Sequence, residues 1–565
     1  MRFLLAALIA VLVFAGLPTG LAPPAAAQDD DQVRLDVTKV TPSVVADGGP
    51  GEVVITGRLT NTSDSQITNV EARVQRGAPA ADEPAVQRAM RSATPTATET
   101  AFSPVADSLA PGQQVPVELH VPLTGPGSLQ ITDPGVYPLL VNVNGAPDVG
   151  GRARIAESTF LLPVLSAPGR PAPPPGHATN VSMLVPIVDH PRLVREALPG
   201  LPPKLVDDTL STSLAPGGRL YDLLQAVTDS APAGSPLGSA LCFAIDPDLL
   251  ITVRAMQGRY QVGQPGGPTT EGIGSRAAEL WLSKLREATS GRCVVALPYA
   301  DADLAALSRA GLPDLVDIAM DGADLLRDKS LLGAEPRDVL WPVEGALADP
   351  ASGDLPDTLL MEPHALDIPA GSLDPVRLRG RDMSAVPIDP LLTTALDPLR
   401  NTGRRTTDFS PPAGQLESTQ NALGALLFRS TQGSVGSATS VMVPPRRWNL
   451  RGDDVRNLLD GMKRLTDAGL LRPVPLPEPE PDTLPEADLS YPVEAGSAEV
   501  AQPVLEELAA QNFKVGDLYR SSRRDPSIDV EPGRITTPLV NGLLRGASSA
   551  WRGRPDTAGH WVDPA

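Results

Sequence analysis

The chain has 565 residues, a formal net charge of -20 and a pI near 4.7. That charge repels nucleic acid and anionic lipid, and no basic block offsets it locally. The length exceeds one ordinary core and calls for two or three domains, while 62 prolines, 50 glycines and 3% aromatic residues describe a loop-rich protein poor in the ring faces on which sugars stack.

Residues 1–27 place Arg2 ahead of an apolar run from Phe3 to Leu17 and end in Ala25, Ala26 and Ala27 before an acidic stretch. This is the pattern of a secretory signal peptide cleaved between Ala27 and Gln28. The alternative is an uncleaved anchor, for which the run is short and broken at Pro18. No later stretch is long and apolar enough to span a bilayer, so the sequence places the mature chain outside the cytoplasm, secreted or in the cell envelope.

Residues 33–165 carry short runs such as "GEVVITGRLTNTS", "QQVPVELHVPL" and "GVYPLLVNVNG" that alternate apolar and polar positions between Gly, Pro, Asn or Asp. The alternation predicts an antiparallel β-sandwich of immunoglobulin-like form. Ala78 to Ser108 departs from it and reads as a long loop or a short helix. Asn61-Thr62-Ser63 fits a glycosylation acceptor, a tripeptide common by chance. Residues 166–180, "SAPGRPAPPPGHATN", form a proline-rich linker.

Residues 181–475 then repeat one theme: an apolar run, a Pro or acidic residue at its end, and often an amphipathic helix. The instances are "SMLVPIVDHPRL", "LCFAIDPDLL", "CVVALPYADADLAAL", "DVLWPVEGAL", "TLLMEPHAL", "DMSAVPIDPLL" and "SVMVPPRRWNL". Apolar strands alternating with helices imply a parallel sheet covered on both faces, and no dinucleotide fingerprint is present, which favours an irregular (β/α) barrel over an open sheet. In such a barrel the turns after the strands gather on one rim, pooling Asp189, Asp246, Asp301, Glu344, Glu362 and Asp389. Glu344 and Glu362 are too close in sequence for a full helix to fit comfortably between their strands. Residues 476–498 are acidic and proline-rich and read as a solvated loop; residues 499–553 read as a helical segment packing on the barrel. The fold class is therefore multidomain: a sandwich, a barrel and C-terminal helices.

Glycosidases set two carboxylates about one bond, and Glu344 with Glu362 or Asp389 could form such a pair, with Trp341 as a sugar platform. Asp-Pro after a strand is also ordinary turn and helix-cap chemistry, so each acid has a structural reading beside the catalytic one. Asp189, Asp246, Asp301, Trp341, His364, Arg446 and Arg447 are the binding candidates. The two arginines precede Trp448 and either clamp a phosphate or carboxylate or neutralise the neighbouring acids. His190 and His364 also fall at strand ends, but the chain has five histidines and neither HExxH nor HxxxH, so no metal is expected. The serine elbow (GxSxG) and the phosphate loop are missing, and no cofactor is expected. Cys242 and Cys293 open two strand-like runs; they are either a disulfide or a pair of buried thiols.

The ordered string "GRLTNTSDSQITNVEARVQRG", "DPGVYPLLVNVNG", "LVPIVDHPR", "LAPGGRLYDLLQA", "FAIDPDLL", "ALPYADADLAALSRAGL" and "LWPVEGAL" resembles an uncharacterised actinobacterial exported-protein family, a domain of unknown function encoded near the lipid II flippase gene. The resemblance runs from Val33 to Gly553. It implies a part in cell-wall assembly, with a cell-wall glycan, a lipid-linked precursor or an envelope membrane protein as partner. It also implies a middle domain similar to glycoside hydrolase and polysaccharide deacetylase barrels, although the deacetylase metal pattern is absent. The family has no established activity, so no catalytic residue carries over. The expectation is a binding or accessory protein of the envelope; the alternative is a glycan-active hydrolase or deacetylase using the rim carboxylates.

Overall fold

The computed structural model describes residues 33–148, 151–167, 170–171, 178–196, 201–264, 267–348, 355–397, 415–431, 438–522 and 533–553. The signal peptide expected at 1–27 and much of the linker at 166–180 lie outside them. The protein is multidomain and mixed α/β.

Strands Val33–Thr41, Glu52–Asn61 and Gln114–Pro122 form one antiparallel sheet. Strands Ile67–Gly77, Gly135–Pro147 and Ala153–Val164 form a second, to which the short strands Thr96–Glu99 and Ser103–Leu109 add. Side chains alternate faces along a strand, so Val53, Ile55, Leu119 and Val121 of the first sheet meet Val70, Ala72, Val74, Val141 and Val143 of the second in one core. Within the stretch from Ala78 to Ser108, the helix Glu83–Arg91 starts where Asp82 accepts from the Ala85 amide at 2.7 Å. Asn61 is fully buried: its amide donates to the carbonyls of Ser65 and Leu109 at 2.8 and 2.9 Å. This corrects the glycosylation reading, since the acceptor nitrogen is already committed inside the fold.

Seven strands then run parallel: Thr179–Ile187, Leu241–Ile245, Cys293–Ala296, Val339–Leu340, Thr358–Met361, Ser384–Pro387 and Thr439–Met442. Neighbours in that order pair directly, except at two joins held by single parallel bridges, Val295–Arg337 and Ile388–Val441. The seventh strand pairs with the first, so the ring closes. Alternate residues fill it: Leu184, Ala244, Val295, Leu297, Val339, Leu360, Val386 and Val441 point inward, while Val185, Phe243 and Ala385 face the surrounding helices. Between the fourth and fifth strands the described residues hold only the turn Val343–Gly345, which is the irregularity expected there.

Residues 476–498 do more than skirt the surface. Leu476 enters the inner core, Glu486–Ala487 pairs with Val376–Leu378, and Val493–Ala498 is helical. The C-terminal helices Gln502–Ser521 and Gly533–Gly546 bury Val504, Leu505, Leu508, Leu543 and Leu544 in the core shared with the barrel's outer face. Helix Gln415–Thr431 is buried on nearly every side and joins the two halves. Asn421 accepts from the Leu161 amide at 3.0 Å, Gln420 donates to the Ser43 carbonyl at 3.2 Å, and Arg429 reaches both Glu83 and Asp389.

Cys242 and Cys293 face each other in the ladder between the second and third strands and are disulfide-bonded, with Cα atoms 4.5 Å apart and a sequence separation of 51. Closing a loop of that length constrains the unfolded chain by about 4 kcal/mol. The Cys242→Ala/Cys293→Ala variant is therefore expected to lose about 4 kcal/mol of unfolding free energy in urea titrations; a loss under about 1 kcal/mol would contradict the assignment of the bridge as a main staple of the ring.

Candidate functional site

The rim of the ring is where chemistry is expected, and Asp189, Asp246, Asp301 and Asp389 there are each held by an arginine, a helix cap or a hydroxyl. Asp389, fully buried, follows the sixth strand and caps helix Pro390–Leu396 by accepting from the Leu391 amide at 3.1 Å and the Leu392 amide at 3.4 Å. Arg429 grips both of its oxygens, at 2.9 and 3.0 Å, and the Ser440 hydroxyl donates at 2.9 Å. An acid so enclosed cannot face a glycosidic bond.

Asp189, after the first strand, lies among Arg192, Arg219 and Arg447 at 3.1, 3.0 and 3.3 Å and accepts from the His190 amide at 2.8 Å. Burial pushes its carboxyl upward, but Arg192 and Arg219 outweigh that and hold it well below the usual carboxylate range. Burial also lowers the neighbouring His190 imidazole, which favours its neutral form.

Asp246, after the second strand, caps helix Pro247–Gln257 through the Asp248 amide at 2.9 Å. Burial first, and then the charges of Asp248 and Asp301, raise its carboxyl well above the ordinary range. Asp248 itself is paired with Arg545 at 2.8 Å, and Arg545 also reaches Glu196 and Tyr299 at 2.7 Å each. Asp301, after the third strand, is likewise raised by burial, against the pull of Arg446 at 3.5 Å and a bond from the Ser549 hydroxyl. Arg552 pairs with Asp303 two residues on.

Trp341, directly after the fourth strand, is buried with the Arg446 guanidinium stacked 3.6 Å from its ring centroid; Arg446 also donates to the Trp341 carbonyl. That cation occupies the ring face that a sugar platform would offer. Glu344 is exposed, in the left-handed region at φ 57°, and lies in the field of Arg446 and Arg552. Glu362, after the fifth strand, is buried, and His364 is 60% exposed with its Nδ1 4.0 Å from the Glu362 carboxylate.

Several residues that complete the rim were not singled out in the sequence: Arg192, Arg219, Arg429, Arg545, Arg552 and Ser549. A readable signal existed for two of them, because Arg429 and Arg545 each interrupt an apolar helical run, "ALGALLFRS" and "LVNGLLRGA". Ala300, Asp301 and Glu344 share positive φ values of 59°, 47° and 57°, so unfavourable backbone is concentrated beside Arg446. Among the described residues no group of three or more His, Cys, Asp or Glu is placed to hold a metal ion, and no helix is long and apolar enough to cross a membrane. An open cleft of about 160 Å³ lies away from the rim, between the N-terminal sheets, against Arg73, Thr100, Ser103, Leu119 and Val121.

Residues 1–350 match the model of a family described as "Family of unknown function (DUF6049)", and the chain belongs to that family. A comparison with curated proteins finds no match. Among solved structures, similarity is found to a β-glucosidase from Listeria innocua bound to glucose, at 15% identity over 23% of this chain and 16% of that one, with a TM-score of 0.16. A polysaccharide deacetylase from Bacillus cereus is similar at 8% identity over 59% of this chain and 88% of that one, with a TM-score of 0.13. The chain thus spans 16% of the β-glucosidase's length. Likeness at these scores carries no argument about activity.

The two kinds of rim acid predict opposite pH dependences. Asp246 has a raised folded pKa, so its contribution to stability is fully present below the unfolded value of about 3.9 and is lost as pH rises through the folded pKa. Asp189 has a depressed one, so its contribution is present above about 3.9 and is lost as pH falls through the folded pKa. Asp246→Asn, which keeps a cap acceptor, is expected to gain stability relative to wild type from about pH 4 upward. Asp189→Asn should cost about 3 kcal/mol at pH 7, shrinking toward acid. Urea titrations from pH 3 to 8 check both, and parallel curves for the two variants would contradict the assignment.

Proposed function

We propose that this protein is an exported component of the cell envelope that binds a cell-wall glycan, a lipid-linked precursor or an envelope membrane protein, and serves as an accessory in cell-wall assembly. The observation that carries this reading is the state of the rim. Asp189 and Asp389 are gripped by arginines, Asp246 and Asp389 cap helices, and the Trp341 ring lies under Arg446. A retaining or inverting glycosidase needs two carboxylates facing an open bond, which Asp189 and Asp389, committed to arginines, are not free to supply; a deacetylase of the metal-dependent kind needs a ligand cluster, and no group of three or more His, Cys, Asp or Glu among the described residues is placed to form one. On this reading the N-terminal sheets are an immunoglobulin-like module fitted to adhesion. The ring is a relative of sugar-active barrels whose acids now serve the fold. The signal-like opening supplies the envelope address, and the string of motifs that resembles an actinobacterial exported family encoded near the lipid II flippase supplies the cell-wall context.

The test uses purified protein, defined muropeptides and lipid II, with titration calorimetry for binding and chromatography for products. Saturable binding without product is expected, and the same affinity in Glu344→Gln, which changes an exposed side chain. Product formation that Glu344→Gln abolishes would overturn the accessory reading and establish a hydrolase.

A further inference from the structure

Helix Gln502–Ser521 is the longest described helix, and only part of it is covered. Val504, Leu505 and Leu508 are buried toward the barrel. Phe513, nine positions after Val504, lies on the opposite side at 3.6 residues per turn, and it is 66% exposed. A single exposed Phe needs no explanation. Its neighbours on the same face are what call for one.

That face reads Gln502, Glu506, Ala509, Phe513, Gly516, Arg520, a spacing of four and three residues that repeats along one seam of a helix. Glu506 stands seven positions before Phe513 and Arg520 seven after it, and both are exposed. Glu507 lies beside Glu506 at the acidic end, Lys514 follows Phe513 directly, and Arg520 at the far end also pairs with Asp517 of its own helix at 2.7 Å. Ala509, Ala510 and Gly516 flank the ring with little side-chain bulk, and a Cβ built on Gly516 would meet only its own Arg520 side chain. The face is therefore self-complementary about Phe513. A second copy laid antiparallel across it puts Phe513 on Phe513 at a two-fold axis and Glu506 against Arg520 of the second copy. It also brings Ala510 onto Gly516, where small residues allow the helices to close.

The geometry points to this face as the interface of a symmetric homodimer, formed by antiparallel crossing of two Gln502–Ser521 helices at Phe513. The occupant is a second copy because one face supplies both halves of each charge pair, the condition a two-fold interface imposes. Helix Gly533–Gly546 packs beside it and leaves Ile535 and Leu539 exposed. The helix is about 30 Å long, which limits the contact to the smaller end of the range for specific interfaces, and the dimer is one that dissociates on dilution.

Sedimentation equilibrium over a concentration series tests the proposal, with the purified full chain. Wild type is expected to pass from the 59.0 kDa monomer to twice that mass, and Phe513→Asp to stay monomeric throughout. Arg520→Glu should weaken association about tenfold, because two like-charged pairs replace two opposite ones, and Glu506→Arg/Arg520→Glu should restore it. Phe513→Cys should oxidise to a covalent dimer across the axis, since the two native cysteines are already bonded to each other. A wild type that stays monomeric to about 100 μM, far above the micromolar affinities common for transient contacts, would overturn the proposal. A dimer indifferent to Phe513→Asp and to the charge exchange would overturn it too. Binding of the monomer to vesicles of anionic phospholipid through the same residues would give the face to a lipid surface instead.

Discussion

The structure depends on how carboxylates at the ends of buried strands are neutralised. A carboxylate shut away from water must be protonated, hydrogen-bonded or paired, and the ring places an acid after each of its first six strands. Arg429 shows the solution at its fullest. Its guanidinium lies between Asp389 at the end of the sixth strand and Glu83 at the start of the N-terminal helix Glu83–Arg91, with Ser440 of the seventh strand on the same carboxylate. One cation thereby ties together the closing strands of the ring, the helix that buttresses them and the N-terminal half of the protein.

The same device recurs with different segments. Arg545 brings the last helix onto Asp248, Arg552 brings the C-terminal turn onto Asp303, and Arg219 brings a covering helix onto Asp189. Where no close cation fully compensates, as at Asp246, the carboxyl is pushed toward its neutral form by burial and by neighbouring charge. Acids that in an open barrel would line a cleft have become attachment points.

The order of the seven strands and the acidic character of the rim were legible in the sequence, because buried parallel strands write continuous apolar runs and the turns after them write Asp-Pro. The cysteines stand at matching points of neighbouring parallel strands, and position along those strands is likewise local information. The fate of each acid was not legible. Asp389 meets Arg429 across 40 residues and Asp248 meets Arg545 across 297, and no periodicity links such positions. Trp341 shows the same limit: a ring at a strand end reads alike as platform or as core, and only Arg446, 105 residues later, decides between them. The loop expected at 476–498 failed to show its inward turn because composition reports solvation on average, whereas Leu476 enters the ring as a single residue.

Asp189 and Asp389 are anchors of the fold held by remote arginines, and the Asp389–Arg429 pair tests this most directly. Unfolding free energies would be measured for wild type, Arg429→Met, and Arg429→Met with Asp389→Asn. The account predicts a loss of about 3–5 kcal/mol in the single variant, because an unpaired carboxylate is left buried, and substantial recovery in the double variant. An unchanged single variant would contradict it and return Asp389 to the list of acids free to act on a ligand.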